Sequence, residues 1–144
     1  MAASVDYEWD QGADLTINLV YKAGPEGATV AVDLTAYKFR MDIIAPDGKV
    51  LTVLNDEALT DTDPFIAGSQ ADSTFEVTMT ALGGIVITLS RALTLPGGAF
   101  FQYINANPSK NEFSYDMFLR NASNVQTKIL EGTISINKSL TLWV

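Results

Sequence analysis

Apolar and polar residues alternate along this chain in segment after segment. In 15–21 the apolar set is Leu15, Ile17, Leu19 and Tyr21, with Thr16 and Asn18 between. In 37–43 it is Tyr37, Phe39, Met41 and Ile43, separated by Lys38, Arg40 and Asp42. Phe75, Val77 and Met79 repeat the pattern in 74–79, and Phe113, Tyr115, Met117 and Leu119 repeat it in 113–119. A period of two sends one set inward and the other to water, which is the signature of a half-buried strand. A helix would scatter Lys38, Arg40 and Asp42 around the core.

Shorter strands fit between these. Val50–Leu54 follows the turn Pro46-Asp47-Gly48 and forms a hairpin with 37–44. Ile85–Leu89 follows Gly83-Gly84, and Phe100–Ile104 follows Pro96-Gly97-Gly98 and reads as a further strand. Lys128–Ile136 is the last long strand, with Leu130, Ile134 and Ile136 on one face. Gly132 falls on that same face, which predicts a bulge or a close backbone contact. Ser90–Leu95 tolerates one helical turn before Pro96 ends it. Turn signals recur at sandwich spacing, so the pattern predicts an all-β antiparallel sandwich of about seven or eight strands.

At 144 residues the chain is read as a single domain, 1–144, with assembly arms at 1–10 and 138–144. Residues 55–73 form an acidic, turn-rich insertion, and 105–112 a shorter polar loop. Hydrophobic residues make up 47%, enough for a packed core. The opening residues have neither the basic nor the apolar region of a signal peptide. No run approaches the roughly 20 apolar residues that span a bilayer.

Composition removes whole classes of chemistry. With no cysteine there is no disulfide, thiolate metal site or cysteine nucleophile. With no histidine there is no Ser-His-Asp arrangement, and the commonest zinc ligand is missing. Carboxylate-only catalysis remains chemically open. It would need two acidic side chains facing each other at roughly 5–10 Å. The expectation is no enzyme, no catalytic residues, no cofactor and no metal. The net charge is −8, and the nine Lys and Arg form no basic run. Nucleic acid and an anionic membrane are therefore not expected as partners.

Several clusters bear weighing. Asp56, Glu57, Asp61 and Asp63 lie close together, but their spacing lacks the Gly and distal Glu of a calcium loop. They read first as a solvated acidic face. Asp6, Glu8, Asp10 and Asp14 alternate with Tyr7 and Trp9. Either this is a first strand with its acids in water, or a charged arm in which Trp9 touches a partner. Trp9, Tyr21, Tyr37, Phe100, Phe101, Tyr103, Tyr115 and Trp143 could build a sugar-stacking platform, although most sit in phase with core positions. Asn121-Ala122-Ser123 and Asn137-Lys138-Ser139 match the glycosylation pattern, which means little without secretion. Leu140-Thr141-Leu142-Trp143-Val144 carries no charge, so Leu140, Leu142, Trp143 and Val144 are candidate partner contacts. Such a segment pairs with a sheet edge, in its own domain or in another subunit.

Taken in order, several short phrases resemble a family of small structural proteins of tailed bacteriophages. They are Gln11-Gly12-Ala13-Asp14, Val32-Asp33-Leu34-Thr35-Ala36-Tyr37, Arg40-Met41, Asp47-Gly48, Tyr115-Asp116-Met117 and Leu130-Glu131-Gly132-Thr133. Ala36 stands where that family commonly has Gly, so its turn must avoid positive φ. The resemblance implies an immunoglobulin-like module in the virion, associated with the tail, baseplate, neck or a fibre. It implies symmetric multi-copy contact with other phage proteins and transfers no catalytic residue. A capsid decoration protein and a carbohydrate-binding adhesion module are the alternatives.

Overall fold

The computed structural model describes residues 3–25, 27, 29–48, 50–54, 75–106 and 110–139. The chain is all-β, with one short helix and a 3₁₀ turn. The strands are β1 (Ala3–Ser4), β2 (Tyr7–Asp10), β3 (Leu15–Val20), β4 (Lys22–Ala23), β5 (Val30–Ala31) and β6 (Lys38–Ile44). They continue with β7 (Val50–Leu54), β8 (Phe75–Met79), β9 (Gly84–Leu89), β10 (Lys110–Arg120) and β11 (Gln126–Asn137).

The larger sheet runs β1-β11-β10-β6-β7, with β2 also lying along β11. The smaller sheet runs β3-β9-β8, and β4 and β5 form a separate ribbon. In sequence order this places β6, β7, β10 and β11 together in one sheet and β3, β8 and β9 in the other. That is the immunoglobulin-like arrangement. The disulfide common in antibody domains has no counterpart, since there is no cysteine. Buried aliphatic and aromatic side chains from both sheets close a single core instead.

Alternation is realised strand by strand. β10 buries Phe113, Tyr115, Met117 and Leu119, and its central Met117 pairs with Met41 on one side and Leu130 on the other. Leu34, Phe39 and Met41 are fully enclosed. Between Met117↔Leu130 and Phe118↔Lys128 the register slips, leaving Ile129 as an extra residue. Such a bulge keeps both strands in phase with the core while bending the hairpin. Beside Gly132 the N-terminal segment runs parallel along β11, and a Cβ there would run into the Val5 carbonyl. The close backbone contact expected at this glycine is thus present. Ala36 has no positive φ; among the described non-glycine residues only Asn124 does, at 64°.

One expected element is different. Phe100–Ile104 is not a strand: Phe101–Ala106 forms helix α1, which follows a 3₁₀ turn at Arg91–Thr94. Phe100 and Ile104 are buried while Gln102 is exposed. Residues four apart share a helical face, whereas a strand would have buried Gln102 with them. Gly98 permits the tight approach, because a Cβ there would strike the carbonyls of Ala92 and Leu93. The insertion 55–73, with Asp56, Glu57, Asp61 and Asp63, lies outside the described residues.

Candidate interaction surface

One end of the sandwich is built by the segment 21–37, the β8–β9 turn at 80–83 and the β10–β11 turn at 121–125. The strand registers bring these together. Val20 lies opposite Gly84, and Arg120 opposite Lys38. Two backbone bonds knit the segment 21–37 to the β8–β9 turn, Tyr21 N–H to Gly83 O at 2.8 Å and Leu34 N–H to Thr80 O at 3.1 Å, while Val32 N–H to Tyr21 O at 3.2 Å closes the segment on itself. Gly83, at φ 79°, is required there, because a Cβ would press on the Tyr21 carbonyl.

Side chains complete these turns. Asp33 accepts from the Thr35 N–H at 3.0 Å and the Thr35 hydroxyl at 2.7 Å. These bonds favour the carboxylate and lower its pKa below the ordinary value. Asn121 Oδ1 accepts from the N–H groups of Ser123 and Val125, at 2.9 and 3.0 Å. An Asx turn of this kind holds the loop tip without any core behind it.

Fixed in this way, the turns hold apolar side chains in water. Val20 is 63% exposed, Val30 69%, Leu82 79% and Val125 57%. Among the described residues the only other large exposed hydrophobic is Val5, at 38%. A single exposed Leu or Val needs no explanation, but their collection on the tips of one end is a feature of interaction surfaces. Neither motif nor alternation singled these four out. The available signal was local: Leu82 precedes Gly83-Gly84 and Val125 follows Ser123-Asn124, so both are apolar residues inside turn sequences.

The opposite end turns its apolar groups inward. Trp9 is 1% exposed, donates its indole N–H to Ala13 O at 2.7 Å and meets the edge of Phe100 at 5.8 Å. Phe100 packs on Phe113 at 4.8 Å, and Tyr103 on Phe113 at 5.5 Å. Gln11 is buried here. Its side chain donates to Thr94 O at 3.1 Å and accepts from Ser139 N–H at 3.2 Å, and its carbonyl accepts from the Ser139 hydroxyl at 2.7 Å.

Trp9 therefore stands in the core and offers no surface to a partner. The acids around it act as side-chain ties: Asp6 accepts from Thr133 N–H at 3.1 Å, Asp10 from the Asn137 amide at 3.2 Å, and Asp14 from Arg91 N–H at 2.7 Å. Leu140, Leu142, Trp143 and Val144 lie outside the described residues. Of the aromatics considered for a sugar-stacking platform, Trp9, Phe100 and Tyr115 are buried, Tyr21, Tyr37, Phe101 and Tyr103 are half-buried, and Trp143 lies outside the described residues.

The outer face of the larger sheet carries a row of charges. Asp116 lies directly opposite Asp42 on one side and Glu131 on the other. Burial, and then the like charge of Asp42, raise its pKa. Arg40 pairs with Asp42 at 3.1 Å, and Lys128 with Glu131 at 2.7 Å and with Asp116 at 4.0 Å. On the inner face, burial raises the pKa of Tyr115, whose hydroxyl donates to Val5 O at 2.5 Å. That bond ties the N-terminal segment to the core.

No family model matches the chain, and no curated relative matches it. Among solved structures, the chain is similar to murine CRIg, with 13% identity, covering 94% of this chain and 92% of that one at a TM-score of 0.42. It is also similar to the periplasmic chaperone SfaE, with 11% identity and a TM-score of 0.44, covering 99% of this chain and 57% of the chaperone. Neither likeness carries a residue role to this chain, which is an all-β, immunoglobulin-like domain on its own strand order.

Proposed function

We propose that the protein is a non-enzymatic structural or adaptor component of a tailed-phage virion, working through protein–protein contact. The observation that carries the contact role is the set of apolar tips, Val20, Val30, Leu82 and Val125, on one end of the sandwich. Hydrogen-bonded turns present Leu82 and Val125, which lowers the ordering entropy that opposes docking. The phrases from Gln11 to Thr133 that resemble phage structural proteins supply the setting, and other virion proteins are the partners it implies. Its place of action on this reading is the assembled particle.

The test is incorporation. Purified particles should contain the wild-type protein, and the double variant Leu82→Glu/Val125→Glu should be lost from them while remaining folded. Particles that lack the wild-type protein refute the virion setting. Particles that take up the double variant at wild-type level refute the tips as the contact surface.

A further inference from the structure

Strand β3 is an edge of the smaller sheet: among the described residues it pairs with β9 alone. Its sequence, Leu-Thr-Ile-Asn-Leu-Val, has no charge and no proline, and its register with β9 runs without a bulge. Proteins usually blunt such an edge with Lys, Pro or a bulge, because its N–H and C=O groups template another strand. Tyr21 shows which groups those are. Its N–H donates to Gly83 O at 2.8 Å and its carbonyl accepts from Val32 N–H at 3.2 Å, so both point to the side of β9. In an antiparallel ladder these groups change sides at each residue. Leu15, Ile17 and Leu19 therefore bond β9, while Thr16, Asn18, Val20 and Lys22 turn their N–H and C=O groups to the outer side.

The charges flanking this edge select its occupant. Asp14 and Lys22 each stand four residues from Asn18, and both are exposed, as are Thr16, Asn18 and Val20. A two-fold axis that joins the same edge of two copies sets the two strands antiparallel. With Asn18 opposite Asn18 of the second copy, Thr16 lies opposite its Val20, and Asp14 opposite its Lys22. All of these residues turn their backbone groups outward, so the pairing makes a regular ladder. A register centred on Ile17 instead would set Asp14 opposite Val20 and Lys22 opposite Gly12, and the ion pairs would be lost. On the core side Ile17 meets Leu19 and Leu15 meets Tyr21, which carries the row of buried and half-buried side chains across the junction. Asp14 Oδ1 accepts from Arg91 N–H at 2.7 Å, and Oδ2, 3.9 Å from the Arg91 guanidinium, is the atom that meets Lys22. Two other outer strands offer only acids: β8 carries Glu76, and β2 carries Glu8 and Asp10. Like charges set opposite each other would repel a second copy there.

We infer that β3 pairs with β3 of a second copy, antiparallel and centred on Asn18. The two smaller sheets join into one continuous sheet, closed at both ends of the junction by reciprocal Asp14–Lys22 ion pairs. Leu82 and Val125 of the two copies then stand at opposite ends of the pair.

Charge reversal tests this register from outside β3. At low salt the wild-type protein should show a monomer–dimer equilibrium in sedimentation. Lys22→Glu and Asp14→Lys should each weaken self-association by about tenfold or more, since each turns two attractive pairs into two repulsive ones. Mixed together, the two variants should recover the dimer, because opposite charges then meet at both ends of the junction. The absence of cysteine allows a second readout that leaves the Asp14–Arg91 contact intact. In a hydrogen-bonded antiparallel pair the Cα atoms are about 5.5 Å apart, within disulfide range. Oxidised Asn18→Cys should therefore form a covalent dimer. Thr16→Cys, whose two copies would stand about 14 Å apart, should not. The inference is overturned by a wild-type chain that stays monomeric at millimolar concentration, or by self-association that ignores the reversals. It is equally overturned by a mixture that fails to recover the dimer, by Asn18→Cys that forms no cross-link, or by equal cross-linking of Thr16→Cys.

Discussion

The two ends of this sandwich are both made of loops, yet they spend their apolar residues in opposite ways. At one end Trp9, Phe100, Tyr103 and Phe113 stack under a buried network centred on Gln11. At the other, short turns closed by Asp33, Thr80 and Asn121 hold Val30, Leu82 and Val125 out in water. The first end joins three chain segments, the regions of Gln11, Thr94 and Ser139, and so contributes to global stability. The second also joins distant segments, through Tyr21 to Gly83 and Leu34 to Thr80, but its Leu82 and Val125 side chains are exposed, so they can change with little effect on the fold. On the proposed contact role, one end serves stability and the other offers its loops for contact.

Substitutions at each end should separate these roles. The largest effect is expected from Trp9→Ala, which empties a fully enclosed site and breaks the aromatic stack. Unfolding in denaturant should show a loss of about 3–5 kcal/mol. A loss under about 1 kcal/mol would mean that this end is not the anchored one. Gln11→Ala removes the side-chain bonds to Thr94 and Ser139 and leaves buried partners unpaired; about 1–3 kcal/mol should be lost by the same measurement.

The contact end should behave differently. Leu82→Glu/Val125→Glu should alter stability by no more than about 0.5 kcal/mol, while abolishing incorporation into particles. A large stability loss would contradict the local closure of these turns. The smallest effect concerns pH. The folded pKa of Asp33 is lowered by its bonds to Thr35, so its contribution is present above the ordinary aspartate value and lost as pH falls through the folded pKa. Asp33→Ala should therefore flatten a small acid-side loss of stability, and a carbon-detected titration of Asp33 in the wild type should show a midpoint below that of a free aspartate. A midpoint above it would refute the turn geometry at 33–35.

Much of the fold was legible because a buried strand writes its period directly into the sequence. Phe39, Met41, Tyr115, Met117 and Leu130 were readable as core from alternation, and all five are buried. Gly132 was readable as a close contact because a glycine on a core-facing position has no packing role of its own. Phe100–Ile104 was misread since Phe100 and Ile104, four apart, satisfy both a strand and a helix; only the exposure of Gln102 separates them. Trp9 had two readings, arm contact or core, and its burial selects the second.

The apolar tips were not legible, since an exposed valine and a buried one look alike in a list of residues. What the sequence by itself determined was local: which side chains share a face, where turns interrupt the strands, and which chemistries a chain without Cys and His cannot perform. Only the tertiary structure decided which loops meet. Strand pairing brings residues 20, 30, 82 and 125 to one end and residues 11, 94 and 139 to the other, because register and sheet order are properties of contacts distant in sequence, and no local period encodes them.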